Sequence, residues 1–318
     1  MRSSHTLDRL ATTFDDGRLI ADAGLLLPAT LAAHLGLREL FDRHVDLGSN
    51  PGRAHVGDKA LTLILSTLAG GDCIDDAGAL RAGGTAAVLG AELRAPSTLG
   101  TFLRSFSFGH ARQLDLVSRQ AIARAWAAGA GPGSAPFTID LDSTICETYG
   151  LHEQGGTRFT YTHVRGYHPL LAVAAGTADV LHSRLRGGPA HSGRGAAGFL
   201  GGTFGRVRQA GAAGPLTMRA DSGFYSAVVV RACRRAGARF SITVQLQPSL
   251  HALISTIPEG SWKEIPYTPF ASERDAKEVR LIVRRVRPTP GQPARAPCAV
   301  QLSRRRHRPR RRDAHPRG

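Results

Sequence analysis

A chain of 318 residues is long enough for two domains, and 42% hydrophobic with 21% charged residues is typical of a globular protein. The net charge of +16 and the pI near 11.0 favour an anionic partner, with nucleic acid the leading candidate. The four cysteines include no CxxC pair, the N-terminus lacks the apolar core of a signal peptide, and no segment approaches the roughly 18 apolar residues of a membrane span. These features argue against a zinc site, a disulfide framework and a membrane anchor, and we expect a cytoplasmic protein.

Residues 1–135 show helical periodicity and predict an N-terminal helical domain. GDKALTLILSTLAGG predicts an apolar helix that stops at Gly70-Gly71, and PSTLGTFLRSFSFGHARQLDLVSRQAIARAWAAG predicts helical structure that starts at a Ser97 cap. No clear helix-turn-helix signature is present, so DNA contact and a plain packing role are both open for this domain. The Gly/Pro/Ser-rich stretch Ala128–Pro136 predicts a linker and a domain boundary.

Strand periodicity begins after this stretch. In FTIDLDS the apolar and polar residues alternate, so Asp140 and Asp142 are predicted to point to one face of a strand. HPLLAVAAGTADVLHSRLRGG predicts a hairpin with its turn at Gly176–Asp179. Carboxylates are costly to bury without a partner, so two of them in an apolar strand call for an explanation.

Four further elements follow the hairpin. GRGAAGFLGGTFGRVRQAG predicts a glycine-weakened helix, and PLTMRAD predicts a short strand that ends at Asp221. SGFYSAVVVRACRRAG predicts a helix with Ser222 near its start and Gly237 as its C-cap, and RFSITVQL predicts another strand. The order strand, hairpin, helix, strand, helix, strand across residues 136–256 is RNase H-like. We therefore predict an α/β (α+β) fold, a mixed sheet with flanking helices, preceded by the helical domain.

The two aspartates that end predicted strands, Asp142 and Asp221, suggest metal chemistry. Magnesium prefers oxygen ligands and is usually held by one or two carboxylates together with substrate phosphate. A pair of such ions can activate a water or a 3′-hydroxyl and stabilise the leaving oxygen at phosphorus. The alternative is that each aspartate is a turn or cap residue.

Four motifs in fixed order carry a family resemblance: TIDLDSTICETYGLHEQGG, RGYHPLLAVAA, LHSRLRGGPAHSG and MRADSGFY. Together they resemble the DDE transposases of bacterial insertion sequences, in particular the group whose RNase H-like core carries a β-rich insertion before its last acidic residue. The resemblance covers residues 137–287 and extends to the helical N-terminal region. It implies DNA transposition, with hydrolysis at the ends of the element followed by strand transfer by the freed 3′-hydroxyl.

The resemblance also implies site residues, a cofactor and partners. Asp142 and Asp221 would be the catalytic and metal-binding acids, with Asp140 as a supporting residue or an alternative. The cofactor would be Mg²⁺ or Mn²⁺. The partner would be double-stranded DNA, both the terminal inverted repeats of the element and the target, on which the chain could form a homodimer.

Several basic residues lie in or near these motifs. Five arginines are candidate DNA ligands, with a solvated surface role as the alternative: Arg158, Arg165, Arg184, Arg186 and Arg219. His163 and His168 could contact phosphate or the metal site, and a structural role is the alternative for both.

The third carboxylate of the family, a glutamate on a helix after the β insertion, has no counterpart that we recognise. Residues 257–290 resemble the start of that insertion, with KEVRLIVRRVRPTP as one of its strands, whereas residues 291–318 predict a disordered Arg/Pro-rich tail. Beyond residue 278 the chain has thirteen arginines and one acid, which is twelve of its sixteen net positive charges. We expect a truncated or frameshifted transposase without activity. The alternatives are a natural basic tail, a non-catalytic DNA-binding remnant, or a metal-dependent nuclease.

Overall fold

The computed structural model describes residues 16–90, 92–149, 157–244, 256–261, 279–285 and 298–304, together with positions 248, 252 and 254. The chain divides into two compact units, Met1–Ala125 and Trp126–Gly318. Among the helices of the described residues, none combines the length and the apolar character needed to cross a membrane.

The first unit is helical, as predicted. Its α-helices are α1 Leu26–His34, α2 Leu37–His44, α3 Val56–Leu68, α4 Thr85–Leu89, α5 Pro96–Arg104 and α6 Phe108–Ala125. One core cluster joins α2, α3, α5 and α6 through buried side chains that include Leu40, Val56, Phe102 and Val117. Burial of these apolar side chains, at about 25 cal/mol per Å², is the main force that holds the unit together.

The predicted Ser97 cap was wrong. Helix α5 has Ala95 as its N-cap and Pro96 at its first position, so Ser97 lies inside the helix. Proline suits this place because its φ angle is already helical and the N–H that it lacks would have no helical partner there. The predicted helical stretch is also interrupted between α5 and α6, where the Ser107 N–H donates to His110 Nδ1 (2.9 Å).

The stretch predicted to be a linker, Ala128–Pro136, is bonded to the second unit. The Gly133 carbonyl accepts hydrogen bonds from the N–H groups of Ala213 (2.7 Å) and Gly214 (3.2 Å). A Cβ atom at Gly214 would lie only 2.1 Å from the Ala135 carbonyl oxygen, so the backbones approach too closely for any residue but glycine. The stretch therefore leads directly into the sheet of the second unit.

The second unit is built on a seven-stranded mixed sheet. The strands in chain order are β1 Phe137–Ser143, β2 Cys146–Glu147, β3 Arg158–Phe159, β4 Arg165–Tyr167, β5 Leu170–Ala174, β6 Val180–Arg184, β7 Leu216–Ala220, β8 Arg239–Val244, β9 Val279–Arg285 and β10 Cys298–Arg304. The large sheet has the order β6-β5-β1-β7-β8-β10-β9, and β2, β4 and β3 form a small second sheet.

The centre of the large sheet has the predicted RNase H-like arrangement. Strand β1 is antiparallel to β5 and parallel to β7, and β7 is parallel to β8. Helix α7, Ala196–Gln209, connects β6 to β7, and helix α8, Ala227–Arg235, connects β7 to β8. The buried side chains of Ile139 and Leu141 lie on one face of β1, and the His182 ring on that face stacks on Phe199 of α7. Helix α7 therefore covers this face, and the aspartates of β1 point to the other.

The predicted start of the second helix at Ser222 was wrong. A 3₁₀ turn, Ser222–Phe224, follows β7 first, and α8 begins only at Ala227. Gly237, with φ +64°, follows the end of α8 in the left-handed conformation predicted for a helix end.

The expectation that residues 291–318 are disordered was wrong for Cys298–Arg304, which form strand β10. This strand lies between β8 and β9 and pairs antiparallel with both, with Val300 opposite Val244 and Val283. We did not predict this strand because the composition of residues 291–318 is dominated by arginine and proline. A strand needs only a few alternating residues, and CAVQLS supplies them between the arginine- and proline-rich stretches. Strand β9 is present as predicted. The rest of the predicted tail, residues 291–297 and 305–318, lies outside the described residues.

Candidate active site

Asp142 and Asp221 occupy equivalent places on two neighbouring parallel strands. Leu141 of β1 pairs with Ala220 of β7, and each aspartate is the residue that directly follows its member of this pair, Asp142 within β1 and Asp221 just after β7. Paired positions of a parallel ladder point to the same face, and neighbouring strands lie about 4.8 Å apart. The register therefore places both acids side by side at the carboxyl end of the central strands.

Each of these carboxylates is oriented by a backbone amide that follows it closely. Asp142 Oδ1 accepts from the Ser143 N–H (2.7 Å), and Asp221 Oδ1 accepts from the Gly223 N–H (3.0 Å). Both aspartates are exposed. Within the described ranges no lysine, arginine or histidine forms an ion pair with either of them. The two carboxylates therefore keep oxygen atoms available to a ligand.

Asp140 differs from these two acids because it already has a cation. Its Oδ1 and Oδ2 atoms accept from Nε and Nη2 of Arg219, both at 2.6 Å. These hydrogen bonds raise the pKa of the Arg219 guanidinium, and the negative charge of Asp140 adds to the effect. With both oxygens engaged, Asp140 fits a supporting role better than that of a primary metal ligand. Arg219 is likewise committed to a carboxylate rather than free for DNA.

A third carboxylate is missing from this pair in the part of the chain that the structure describes. The group there with three potential metal ligands in reach of one another is Asp72, Cys73 and Asp76, an exposed cluster in the first unit. Asp76 accepts backbone N–H bonds from Cys73 and Asp72, which lower its pKa and close a loop. Glu264, Glu273 and Glu278 lie outside the described residues.

A buried histidine contacts Ser143, the residue that follows Asp142. His168 is 1% exposed, with Nδ1 2.7 Å from the Ala190 carbonyl oxygen and Nε2 3.0 Å from Ser143 Oγ. Ser143 Oγ also lies 3.0 Å from Ser192 Oγ. The ring contacts protein groups, which fits the structural alternative for His168. His163, in contrast, lies in an exposed turn with φ +63°.

Sequence reasoning missed Ser143 and Ser192. Both lie inside the motifs that carry the resemblance, but serine is common and its partners here are 25 and 49 residues away in sequence. Only the fold shows that they meet.

The comparisons with known proteins decide the family. Residues 3–289 match the family model described as Transposase DDE domain group 1. The chain belongs to this family. No curated protein matches the chain.

Solved structures also match this DDE transposase chain. One is a piggyBac transposase synaptic complex with hairpin DNA, determined by cryo-electron microscopy, at 12% sequence identity and a TM-score of 0.45. The alignment covers 90% of this chain and 61% of that one. The DDE chain thus spans less than two thirds of the length of that protein.

The five arginines predicted as DNA ligands of the transposase have different environments. Arg186 is a loop anchor, because its Nε donates to the His168 carbonyl (2.9 Å) and its Nη1 to the carbonyls of His191 (3.0 Å), Ser192 (3.2 Å) and Arg194 (3.0 Å). Partial burial lowers the pKa of Arg186, and nearby arginines lower it further. These contacts occupy the guanidinium and leave less of it for a DNA phosphate.

Arg158, Arg165 and Arg184 are exposed. The first two lie on the small sheet, on β3 and β4. Arg184 ends β6, where Leu170 of β5 pairs with both Arg184 and Ser143. It therefore lies at the same end of the large sheet as Asp142. Its guanidinium lies over the Phe199 ring, 5.2 Å from the centroid.

Proposed function

We propose that this chain is the catalytic core of a DNA transposase that hydrolyses phosphodiester bonds at the ends of an insertion sequence and joins the freed 3′-hydroxyl to target DNA. The observation that carries the proposal is the register of β1 and β7, from which Asp142 and Asp221 follow side by side at the carboxyl ends of two central strands. Membership of the DDE transposase family supports it.

Asp142 and Asp221, at the carboxyl ends of the central strands, fit a divalent cation. Asp142 and Asp221 offer hard carboxylate oxygens, and no described cation neutralises them, so Mg²⁺ or Mn²⁺ has a suitable pair of ligands. When bound, the ion would supply an activated water or 3′-hydroxyl and stabilise charge at phosphorus. The protein itself holds the two carboxylates through the Ser143 and Gly223 amides. The ion pair of Asp140 with Arg219 reduces the net negative charge beside Asp142.

DNA is the proposed partner because the chain carries a net charge of +16 and exposed arginines accompany the acids. Arg158, Arg165 and Arg184 are the proposed phosphate contacts. Contact with terminal repeats and with target DNA, and a homodimer on that DNA, are further predictions. Mass photometry with and without DNA tests the dimer.

The test is Mn²⁺- or Mg²⁺-dependent cleavage of DNA duplexes that carry the sequences flanking the coding region. Asp142→Asn and Asp221→Asn should each abolish it. Asp179→Asn is the matched control, since Asp179 is an exposed aspartate of the same sheet in the β5–β6 turn, near the opposite end of β1. Cleavage that survives both active-site substitutions contradicts the proposal.

The same assay separates the two alternatives. Cleavage of any duplex, without need for particular ends, indicates a metal-dependent nuclease. Binding of DNA without cleavage under any metal condition indicates a non-catalytic remnant. The sequence-based expectation of an inactive chain predicts this second outcome, because no third carboxylate joins the pair among the described residues.

A further inference from the structure

We propose that His168, Ser143 and Ser192 form a positioning unit that sets the separation of Asp142 and Asp221, and with it the affinity of the site for a divalent ion. The inference rests on the proposed function in one respect, that these two acids bind the metal. None of the three residues is a metal ligand in this proposal. They act through the two amides that orient the acids.

The direction of the hydrogen bonds in this unit follows from the groups at its ends. A carbonyl oxygen only accepts, so the tautomer with its proton on Nδ1 fits the 2.7 Å contact of His168 Nδ1 with the Ala190 oxygen. In that tautomer the Nε2 atom accepts from the Ser143 hydroxyl at 3.0 Å. The Ser143 oxygen in turn accepts from the Ser192 hydroxyl at 3.0 Å. This tautomer gives one order of donors from Ser192 to Ala190.

His168 itself is held rigidly. Its N–H donates to the Arg186 carbonyl (3.0 Å), and its own carbonyl accepts from Arg186 Nε (2.9 Å). Both ring nitrogens are engaged and the residue is 1% exposed. Buried polar groups that are fully bonded rigidify their surroundings. The His168 ring is therefore rigid, and its hydrogen bond to Ser143, which in turn bonds Ser192, holds both serines in place.

The unit reaches Asp142 through Ser143. Ser143 is the last residue of β1, and its N–H is the donor to Asp142 Oδ1 at 2.7 Å. Anchoring the Ser143 side chain to His168 therefore anchors the amide that orients the first acid.

The unit reaches Asp221 through Ser192 and Gly223. A Cβ atom built on Gly223 would lie 3.0 Å from the Ser192 Cβ and 3.2 Å from Asp221 Oδ1, so Ser192 packs directly on this glycine. The Gly223 N–H is the donor to Asp221 Oδ1 at 3.0 Å. Both acids are thus oriented by amides that rest on the same hydrogen-bonded unit.

The chain offers a matched control in a second buried histidine. His182 is 5% exposed, lies on β6, has Nδ1 2.8 Å from Thr203 Oγ1 and stacks on Phe199. It is a histidine bonded to a hydroxyl, and Thr203 and Phe199 belong to α7 and not to the loops that orient the acids. A general effect of losing a buried imidazole would appear at His182 as well.

The experiment measures Mn²⁺ binding to the full chain by calorimetry or by electron paramagnetic resonance, so that it does not depend on catalysis. We expect Asp142→Asn to remove Mn²⁺ binding at this site. We expect His168→Gln to weaken it about tenfold or more, in the range found for residues that orient metal ligands. His182→Gln should leave the affinity within about twofold of the unsubstituted chain, although both histidine variants lose thermal stability.

The serines give a second test if His168→Gln fails to fold. Ser143→Ala and Ser192→Ala should each weaken Mn²⁺ binding, whereas Ser143→Thr, which keeps the hydroxyl, should restore it. If the residues act as one unit, His168→Gln combined with Ser143→Ala weakens binding little more than either change alone.

The outcomes distinguish the two proposals. Equal Mn²⁺ affinities for His168→Gln and His182→Gln, or for Ser143→Ala and Ser143→Thr, overturn the positioning role while the metal site stands. Mn²⁺ binding that is absent, or insensitive to Asp142→Asn, overturns the metal site and the positioning role together. Weakened binding in His168→Gln, Ser143→Ala and Ser192→Ala, with His182→Gln and Ser143→Thr close to the unsubstituted chain, supports both.

Discussion

Aspartates in the two units differ in how their negative charge is balanced. Asp58, on the first turn of α3, is 3% exposed and lies 2.8 Å from Arg38 Nε and 2.6 Å from Arg94 Nη2. Asp142 and Asp221, in the second unit, are exposed and have no ion-pair partner among the described residues. One environment satisfies the charge inside the protein, and the other leaves it for a partner from solution.

The difference indicates what each acid contributes. A buried charge is tolerated only when it is paired and hydrogen-bonded, so the surroundings of Asp58 are explained by stability alone. Asp221 caps the Ser222–Phe224 turn, which fits the cap alternative for this residue. A cap does not explain a second unpaired carboxylate beside it, since the mutual repulsion of the two acids opposes folding. Their placement at the end of β1 and β7 therefore supports the divalent-ion site that we propose.

If the chain cleaves DNA, contrary to the inactivity expected from the sequence, the largest expected effect is the loss of metal-dependent cleavage in Asp142→Asn. We expect the rate to fall by about 10²-fold or more, since misplacing reacting groups by 1 Å already has an effect of that order. The free energy of unfolding should stay the same or rise slightly, because one of two repelling charges is removed. Cleavage assays and chemical denaturation on the same preparation check both parts. A large loss of stability would show that Asp142, like Asp58, stabilises the fold, and the two aspartates would no longer differ in role.

The next effect is on stability, in Asp58→Asn. Removing this charge takes the carboxylate from Arg38 and leaves Arg94 paired with the exposed Glu92, and we expect the free energy of unfolding to fall by about 2–3 kcal/mol. Urea denaturation measures it. Asp42→Asn is a useful reference, because Asp42 accepts a backbone bond from Gly57 (2.7 Å) at the start of the same helix. A loss at Asp58 no greater than at Asp42 would show that its ion pairs add little.

The periodic parts of the second unit were predictable from sequence. Alternation of Ile139 and Leu141 with Asp140 and Asp142 is a local signal, and it correctly placed the aspartates on the face opposite the core. The turn at Gly176–Asp179 is equally local. The order of elements then suggested the sheet that brings β1 beside β7.

The contacts of the site were not predictable in the same way. Asp140 and Arg219 are 79 residues apart, and no sequence pattern shows that one neutralises the other. The bonds of His168 to Ser143 and Ala190 likewise depend on the path of the loop after β6. Such contacts are set by tertiary packing rather than by the period of a helix or strand.

The buried thiol of Cys233 adds a third case, an ionisable group that is buried without a charged partner. Burial raises the pKa of the Cys233 thiol from 9.0 to about 12, so the native protein keeps it neutral where the unfolded chain ionises it. Its contribution to stability is complete below pH 9 and is lost as the pH rises toward 12. We expect a loss of up to about 1.4 kcal/mol per pH unit in that window. Denaturation of the unsubstituted chain and of Cys233→Ala at pH 8 to 10.5 tests it, and parallel curves would contradict it.

The smallest effect is expected for the ion pair of Asp140 with Arg219. The two side chains are 37% and 54% exposed, so water and salt screen the pair despite its two-pronged geometry. Asp140→Asn and Arg219→Gln should each lower the free energy of unfolding by less than about 1 kcal/mol, and a double-mutant cycle should give a coupling energy that shrinks with added salt.

The cleavage rate of Asp140→Asn distinguishes a supporting role for Asp140 from a role as metal ligand. If Asp140 is a supporting residue, Asp140→Asn should lower the cleavage rate by only a few-fold, because Asp142 and Asp221 keep their own amide donors. If Asp140→Asn instead abolishes cleavage as completely as Asp142→Asn, then Asp140 leaves Arg219 to bind the metal. In that case an ion pair in this structure does not exclude a carboxylate from the metal site.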